Sequence, residues 1–270
     1  MDHKQILQSY SSSEKIRELQ SLIVDNQQVY VKSLSQSALS FVWAALYQKM
    51  GTPMLLLLDN KEEAAYFYND LEQMLGEKKV LFFPESYRRA YQIEETDNAN
   101  VLLRSKVLSH LQSRQKPQVI VSYAAALFEQ VVVKKELQGN TLKMKVGDKL
   151  SIDFLYEVLF EYKFEQVDFV VQPGEFSVRG GILDVYSFGD DEPYRIELFD
   201  DEVESIRSFD IETQLSIEKK KSIQIIPNLS DKTLIQQRQS FLKFIKKNTL
   251  IYLKNRSLTT SVLDLSLIHI

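Results

Sequence analysis

The stretch PGEFSVRGGILDVYSFGDDEPYRIELFDDEVESIRSFD, residues 173–210, alternates apolar and polar side chains in three short runs. That period of two is the signature of half-buried strands, predicted at 175–179, 182–186 and 194–199. Gly180 and Gly181 stand between the first two runs, so a two-residue hairpin turn is expected there. Alternation puts Phe176 and Val178 on one face of the first strand, with Glu175, Ser177 and Arg179 on the other. In YRIELF, residues 194–199, Tyr194, Ile196 and Leu198 share a face. Arg195, Glu197 and Phe199 form a row on the opposite one. Register permitting, Arg179 joins that row from the neighbouring strand. The acids that follow, Asp200, Asp201, Glu202 and Glu204, have no spacing that sets two carboxylates face to face, so neither a metal site nor a glycosidase pair is read here.

Upstream, the pattern is different. Helices are predicted at 14–23, 35–50, 60–76 and 95–113, alternating with strands at 28–33, 53–59, 79–84 and 117–123. PMLLLLD, residues 53–59, is a continuous apolar run of strand length, as a strand covered on both faces requires. Leu39, Val42, Trp43 and Leu46 form the apolar side of the 35–50 helix, and Asn60 and Gly76 bracket the next one. This rhythm implies a doubly wound α/β domain with a parallel sheet. Near Ala124 the rhythm changes. A strand and turn at 141–150 and a Ser151-capped helix at 151–164 precede strand runs at 166–171, 175–179, 182–186, 194–199 and 222–226, with little helix between. Such a segment reads as an α+β module inserted into the α/β domain. A capped helix at 230–248 and a strand at 249–254 then resume the α/β pattern without completing it. The expected organisation is 1–123 for the first part of the α/β domain, 124–226 for the inserted module and 227–270 for the return. The terminal LSLIHI, residues 265–270, reads equally as an apolar C-terminus or as translated adapter sequence.

Composition narrows the chemistry. Of 270 residues, 44% are hydrophobic and 26% charged, an ordinary balance for a packed chain. The absence of cysteine removes disulfides, thiolate metal sites and cysteine nucleophiles, and fits a reducing cytoplasm. Three scattered histidines, His3, His110 and His269, argue against a histidine metal cluster or a serine-histidine-aspartate triad. No apolar run is long enough to span a membrane, and the polar N-terminus is no secretory signal. The net charge of −4 conceals an acidic stretch at 184–204, with nine acids and one arginine, and a basic one at 215–256, with ten Lys or Arg and two acids. The basic segment is read as a solvated face, with duplex DNA binding as the competing reading.

The residues PGEFSVRGGILDVY and PYRIELFDDEVESIRSFDIETQ closely resemble the interaction module shared by the bacterial transcription-repair coupling factor family and the excision-repair protein UvrB. The resemblance is gapless over about 167–214 and weaker over flanks such as VIVSYAAALFEQV and KVLFFPESYRRAYQIEETDNANVLLRSKVL. It implies a degenerate P-loop-type α/β domain interrupted by a module that binds UvrA, with Arg179, Arg195 and Glu197 at polar positions that relatives use against UvrA. Phe199, in the same outward row, is expected to add apolar area to that docking face. UvrB carries a phosphate loop where this chain has SLSQSALS, residues 33–40. A working loop needs glycines, so that backbone N–H groups wrap the phosphates, and a lysine for their charge. Here Ser33 and Ala38 replace glycines, Leu39 replaces the lysine, and Ser40 follows. No nucleotide is therefore expected in this region, ATP and magnesium belonging to the family's translocase part. Two further departures are Ser177, where UvrB has an arginine, and Glu165 or Gln166, where relatives carry one on the preceding strand. The resemblance implies a non-catalytic adaptor that recruits UvrA to stalled RNA polymerase, with the polymerase and duplex DNA held by other regions of the family's proteins. A UvrB-type nucleotide-dependent helicase is the alternative.

Overall fold

The computed structural model describes residues 3–32, 34, 36–87, 97–112, 118–231 and 234–268. In chain order, helices α1 (His3–Ser12), α2 (Glu14–Asp25) and α3 (Gln36–Met50) lead into β1 (Met54–Leu58), α4 (Lys61–Leu75), β2 (Val80–Phe82), α5 (Asn98–Gln112), β3 (Val119–Tyr123) and α6 (Ala124–Phe128). Next come β4 (Val131–Val132), α7 (Lys134–Gly139), β5 (Leu142–Lys145) and α8 (Ile152–Glu161). The strands β6 (Glu165–Gln166), β7 (Glu175–Arg179), β8 (Ile182–Val185), β9 (Tyr194–Phe199), β10 (Glu202–Phe209), β11 (Ser216–Lys220) and β12 (Ser222–Ile225) follow. The chain continues through β13 (Arg238–Gln239), β14 (Leu250–Leu253) and α9 (Arg256–Ile268). It divides into two compact units. The first comprises Met1–Pro84, Gln115–Phe128 and Ile245–Ile270, and the second comprises Glu85–Arg114 and Glu129–Phe244.

The first unit is an α/β domain with a four-stranded parallel sheet of order β14-β1-β3-β2. Every residue of β1 and β3 is buried, which is why both read as unbroken apolar or small-residue runs rather than alternating ones. Leu39, Val42, Trp43 and Leu46 are all buried, and the Trp43 ring lies 4.7 Å from that of Tyr252 on β14. Asn60 accepts the Glu63 backbone N–H at 2.9 Å and so caps α4, while Gly76 ends it at φ +91°. Helices α1 and α2, of which α1 was not foreseen, pack on α3.

The predicted strand at 28–33 is not formed by residues 28–32, and Ser33 lies outside the described residues. A strand needs a ladder, and residues 28–32 join none in the sheet β14-β1-β3-β2. Tyr30 is left 83% exposed.

The second unit is of α+β type and includes α5 as well as the segment from β4 to the 3-10 turn at Phe241–Phe244. Its six-stranded sheet has the order β11-β10-β9-β8-β7-β6, antiparallel except for the parallel β6–β7 pair. Helix α8, capped by the Ser151 hydroxyl accepting from the Phe154 N–H at 3.2 Å, lays Leu155 and Leu159 against Phe176, Leu183, Val185, Ile196 and Ile206. Two-stranded ladders β5–β12 and β4–β13 complete the unit.

Three readings in this unit change. The run at 166–171 forms a strand only at Glu165–Gln166, because Val171 and Gln172 donate their N–H groups to the Glu175 carboxylate and the chain turns away. The acid-rich segment after Phe199 contains the eight-residue strand β10, whose period is hidden by a register shift between Val203 and Ser205. The predicted helix at 230–248 is replaced, among its described residues, by β13 and a single 3-10 turn at Phe241–Phe244. There, Gln237 donates its N–H to Glu136 and accepts from the Val133 N–H. Pairing with β4 thus takes the backbone groups that a helix would have used.

Candidate functional site

The core-facing side of the six-stranded sheet is apolar, so every second residue of β7–β10 emerges on the other face. Register brings Ser177, Asp184, Arg195 and Arg207 into one cross-strand row, with Arg179, Ile182, Glu197 and Ser205 in the next. Arg179 therefore shares a cross-strand row with Glu197, but from β7, with Ile182 of β8 between them.

The hairpin beneath this arrangement depends on its two glycines for different reasons. Gly180 adopts φ +61°, a left-handed conformation that side chains disfavour. Gly181 donates no special dihedral but lies so close to β9 that an added Cβ would sit 2.6 Å from the Leu198 carbonyl oxygen. The close approach lets Leu198 donate its N–H to the Gly181 carbonyl at 2.7 Å. At the same end of the sheet, the two-residue turn Asp200-Asp201, with Asp200 at φ +52°, follows Phe199, which is 71% exposed.

Asp184 is the centre of the charge on this face, and the period-two pattern gave no sign of it. Its side chain is 1% exposed. Arg195 grips it with two bonds, Nε to Oδ1 at 2.7 Å and Nη2 to Oδ2 at 2.9 Å, while Arg179 Nη2 reaches Oδ2 at 2.6 Å. Arg195 also donates Nη1 to the Gln214 carbonyl at 3.2 Å and stacks over the Phe209 ring at 4.7 Å. Hydrogen bonds to Asp184 hold the Arg195 guanidinium above its ordinary pKa, burial opposing them. Glu197 is likewise engaged within the sheet, accepting from Arg207 Nη2 and from the Ser205 hydroxyl, each at 2.7 Å. Ser177, where UvrB has arginine, is buried and donates to the Asp168 carbonyl at 3.2 Å. Glu165 and Gln166 are exposed on β6.

The four predicted residues thus divide. Arg195 and Glu197 are spent on partners inside the unit, and Arg195 is only 19% exposed at its side chain. Arg179, at 46%, and Phe199 face solvent. Among the described residues no group of His, Cys, Asp or Glu is arranged to hold a metal ion.

In the first unit, the segment read as a degenerate phosphate loop leads into α3. Ser33 is outside the described residues. Ala38 is half-buried, and Leu39 and Ser40 are buried. The Ser40 hydroxyl, which in a working loop would meet magnesium, donates to Asp70 on α4 at 2.8 Å. At the carboxyl ends of β1 and β14, Lys254 pairs with Asp59 at 3.3 Å and with Glu63.

Residues 142–230 match the family model of the UvrB interaction domain. Over 194 residues the chain is 34% identical to the transcription-repair-coupling factor of Bacillus subtilis (strain 168), covering 72% of the chain and 16% of that protein. It is 27% identical to the transcription-repair-coupling factor of Escherichia coli (strain K12), covering 74% of the chain and 17% of that protein. Against the UvrABC system protein B of Thermosipho africanus (strain TCF52B), identity is 28% over 78% of the chain and 34% of that protein. The chain therefore spans a minor part of each of these relatives.

Proposed function

We propose that this chain, which carries a UvrB interaction domain at 142–230 and is similar over most of its length to transcription-repair-coupling factors, is an adaptor that docks UvrA in nucleotide excision repair. The observation that supports this most directly is the outer face of the six-stranded sheet. There a half-exposed arginine, Arg179, is held ready by a buried aspartate, and an exposed aromatic, Phe199, stands on β9 of the same sheet. Guanidinium groups fixed by internal bonds lose little freedom on meeting a carboxylate, and their forked donors suit it. In this reading UvrA is recruited to RNA polymerase stalled on DNA, the polymerase and the DNA being held by parts of the protein outside this sequence, in the cytoplasm. No described helix is long and apolar enough to cross a membrane.

Calorimetric titration with UvrA tests it. Arg179→Ala is expected to weaken binding by about 2–5 kcal/mol, the cost of stranding a desolvated partner charge. Its own stability should fall by less than about 1 kcal/mol, because the arginine is half-exposed and Asp184 keeps Arg195. Unchanged affinity would remove this face from the interface.

The likeness to UvrABC system protein B raises a nucleotide-dependent reading. Leu39 and Ser40 oppose it, the first supplying no charge and the second bonded to Asp70. A fluorescent ATP analogue with magnesium should give no saturable signal. Binding at about 1 μM, worth roughly −8 kcal/mol, would overturn the adaptor reading in favour of the nucleotide-dependent one.

A further inference from the structure

Phe169 lies outside the row that alternation picks out, on the loop between β6 and β7. Its ring centroid is 5.5 Å from the Arg179 guanidinium, yet the residue is 61% exposed. The loop around it is pinned on both sides. Val167 donates its N–H to the Phe176 carbonyl at 2.9 Å, and the Asp168 carbonyl accepts from Ser177. Val170 is fully buried with Tyr186 and Phe209, and Val171 and Gln172 are tied to Glu175 at 2.8 Å each. Every neighbour has a place in the fold, while the phenyl ring stands in water.

A rigidly presented aromatic is inexpensive to bury on association, because its ordering cost is already met in the free protein. Such residues, with arginine, are enriched among those that dominate interface energetics. A ring beside a guanidinium also strengthens its hold on the cation once water is excluded. Arg179 uses one nitrogen on Asp184 and makes no other hydrogen bond among the described residues, so donors remain for a partner's carboxylate. Arg195, by contrast, directs all three of its nitrogens inward.

We infer that Phe169 is a docking anchor. It enters an apolar socket on the partner, beside a carboxylate that binds Arg179, and this pair rather than Arg195 determines recognition. The inference rests on the reading of this face as the UvrA-docking surface, which makes UvrA the occupant.

The test is titration of the whole chain with UvrA, alongside thermal melting, for wild type, Phe169→Ala, Phe169→Leu and Phe154→Ala. Phe154 is a comparable exposed aromatic, 43% accessible, on α8, which covers the opposite face of the sheet. Phe169→Ala should raise the dissociation constant about tenfold or more, with an unchanged melting temperature. Phe169→Leu should fall between it and wild type, keeping apolar area but losing the ring face. Phe154→Ala should bind as wild type does. Wild-type affinity in Phe169→Ala overturns the anchor, as does equal weakening in Phe154→Ala or a loss of binding that follows a loss of melting temperature. Failure of the wild-type chain itself to bind UvrA overturns the adaptor reading and the anchor with it, and is distinguished by the absence of any signal to compare.

Discussion

Asp184→Ala is expected to destabilise the second unit by about 3 kcal/mol, the lower end of the cost of breaking a buried ion pair from one side. The carboxylate is 1% exposed and takes three guanidinium bonds from two strands. Removing it leaves Arg195, 19% exposed over Phe209, without its anion. Arg179 can turn to water, which keeps the cost from the upper end of the range. The chain has two compact units, so one global unfolding free energy is not the right readout. Native-state amide exchange of β8 and β9 reports the unit directly. Glu197→Ala is the comparison. That pair is about a third exposed on both sides, and its loss should cost no more than about 1 kcal/mol. Equal costs for the two would mean that water screens Asp184 as well as it screens Glu197.

Gly181→Ala should cost about 2–3 kcal/mol, as an overpacked site does, and should weaken UvrA binding as well. The new methyl would meet the Leu198 carbonyl oxygen at 2.6 Å, and backbone cannot rotate away as a side chain does. Relief requires β8 and β9 to part, which breaks the Leu198-to-Gly181 bond and shifts the hairpin that carries Arg179. Gly180→Ala separates the two roles of the turn. Its added Cβ meets open space, so only the left-handed dihedral at φ +61° is penalised, at about 1–2 kcal/mol. Urea unfolding followed by a probe in the hairpin ranks the two. A Gly181→Ala variant milder than Gly180→Ala would show that the strands tolerate separation.

Local patterns were sufficient wherever the cause of a structure is local. The apolar run of β1, the Asn60 cap and terminal Gly76 of α4, the Ser151 cap of α8 and the paired glycines of the β7–β8 turn each act within a few residues, and each is formed. The same holds for the shared face of Arg195 and Glu197, since a period of two is a property of one strand. What the tertiary structure alone decided is which groups meet across strands. Residues 28–32 have strand composition but join no ladder, and within the helical pattern of 230–248 Arg238–Gln239 are claimed by β4. β10 was concealed by its register shift. At the candidate site, register assigns Asp184 to two arginines and Arg207 to Glu197, and the pinned β6–β7 loop carries Phe169 to Arg179. A one-residue slip would send every one of these side chains to the other face. Register is set by the packed core beneath the sheet, so the choice between a spent arginine and an available one is made by contacts far apart in sequence.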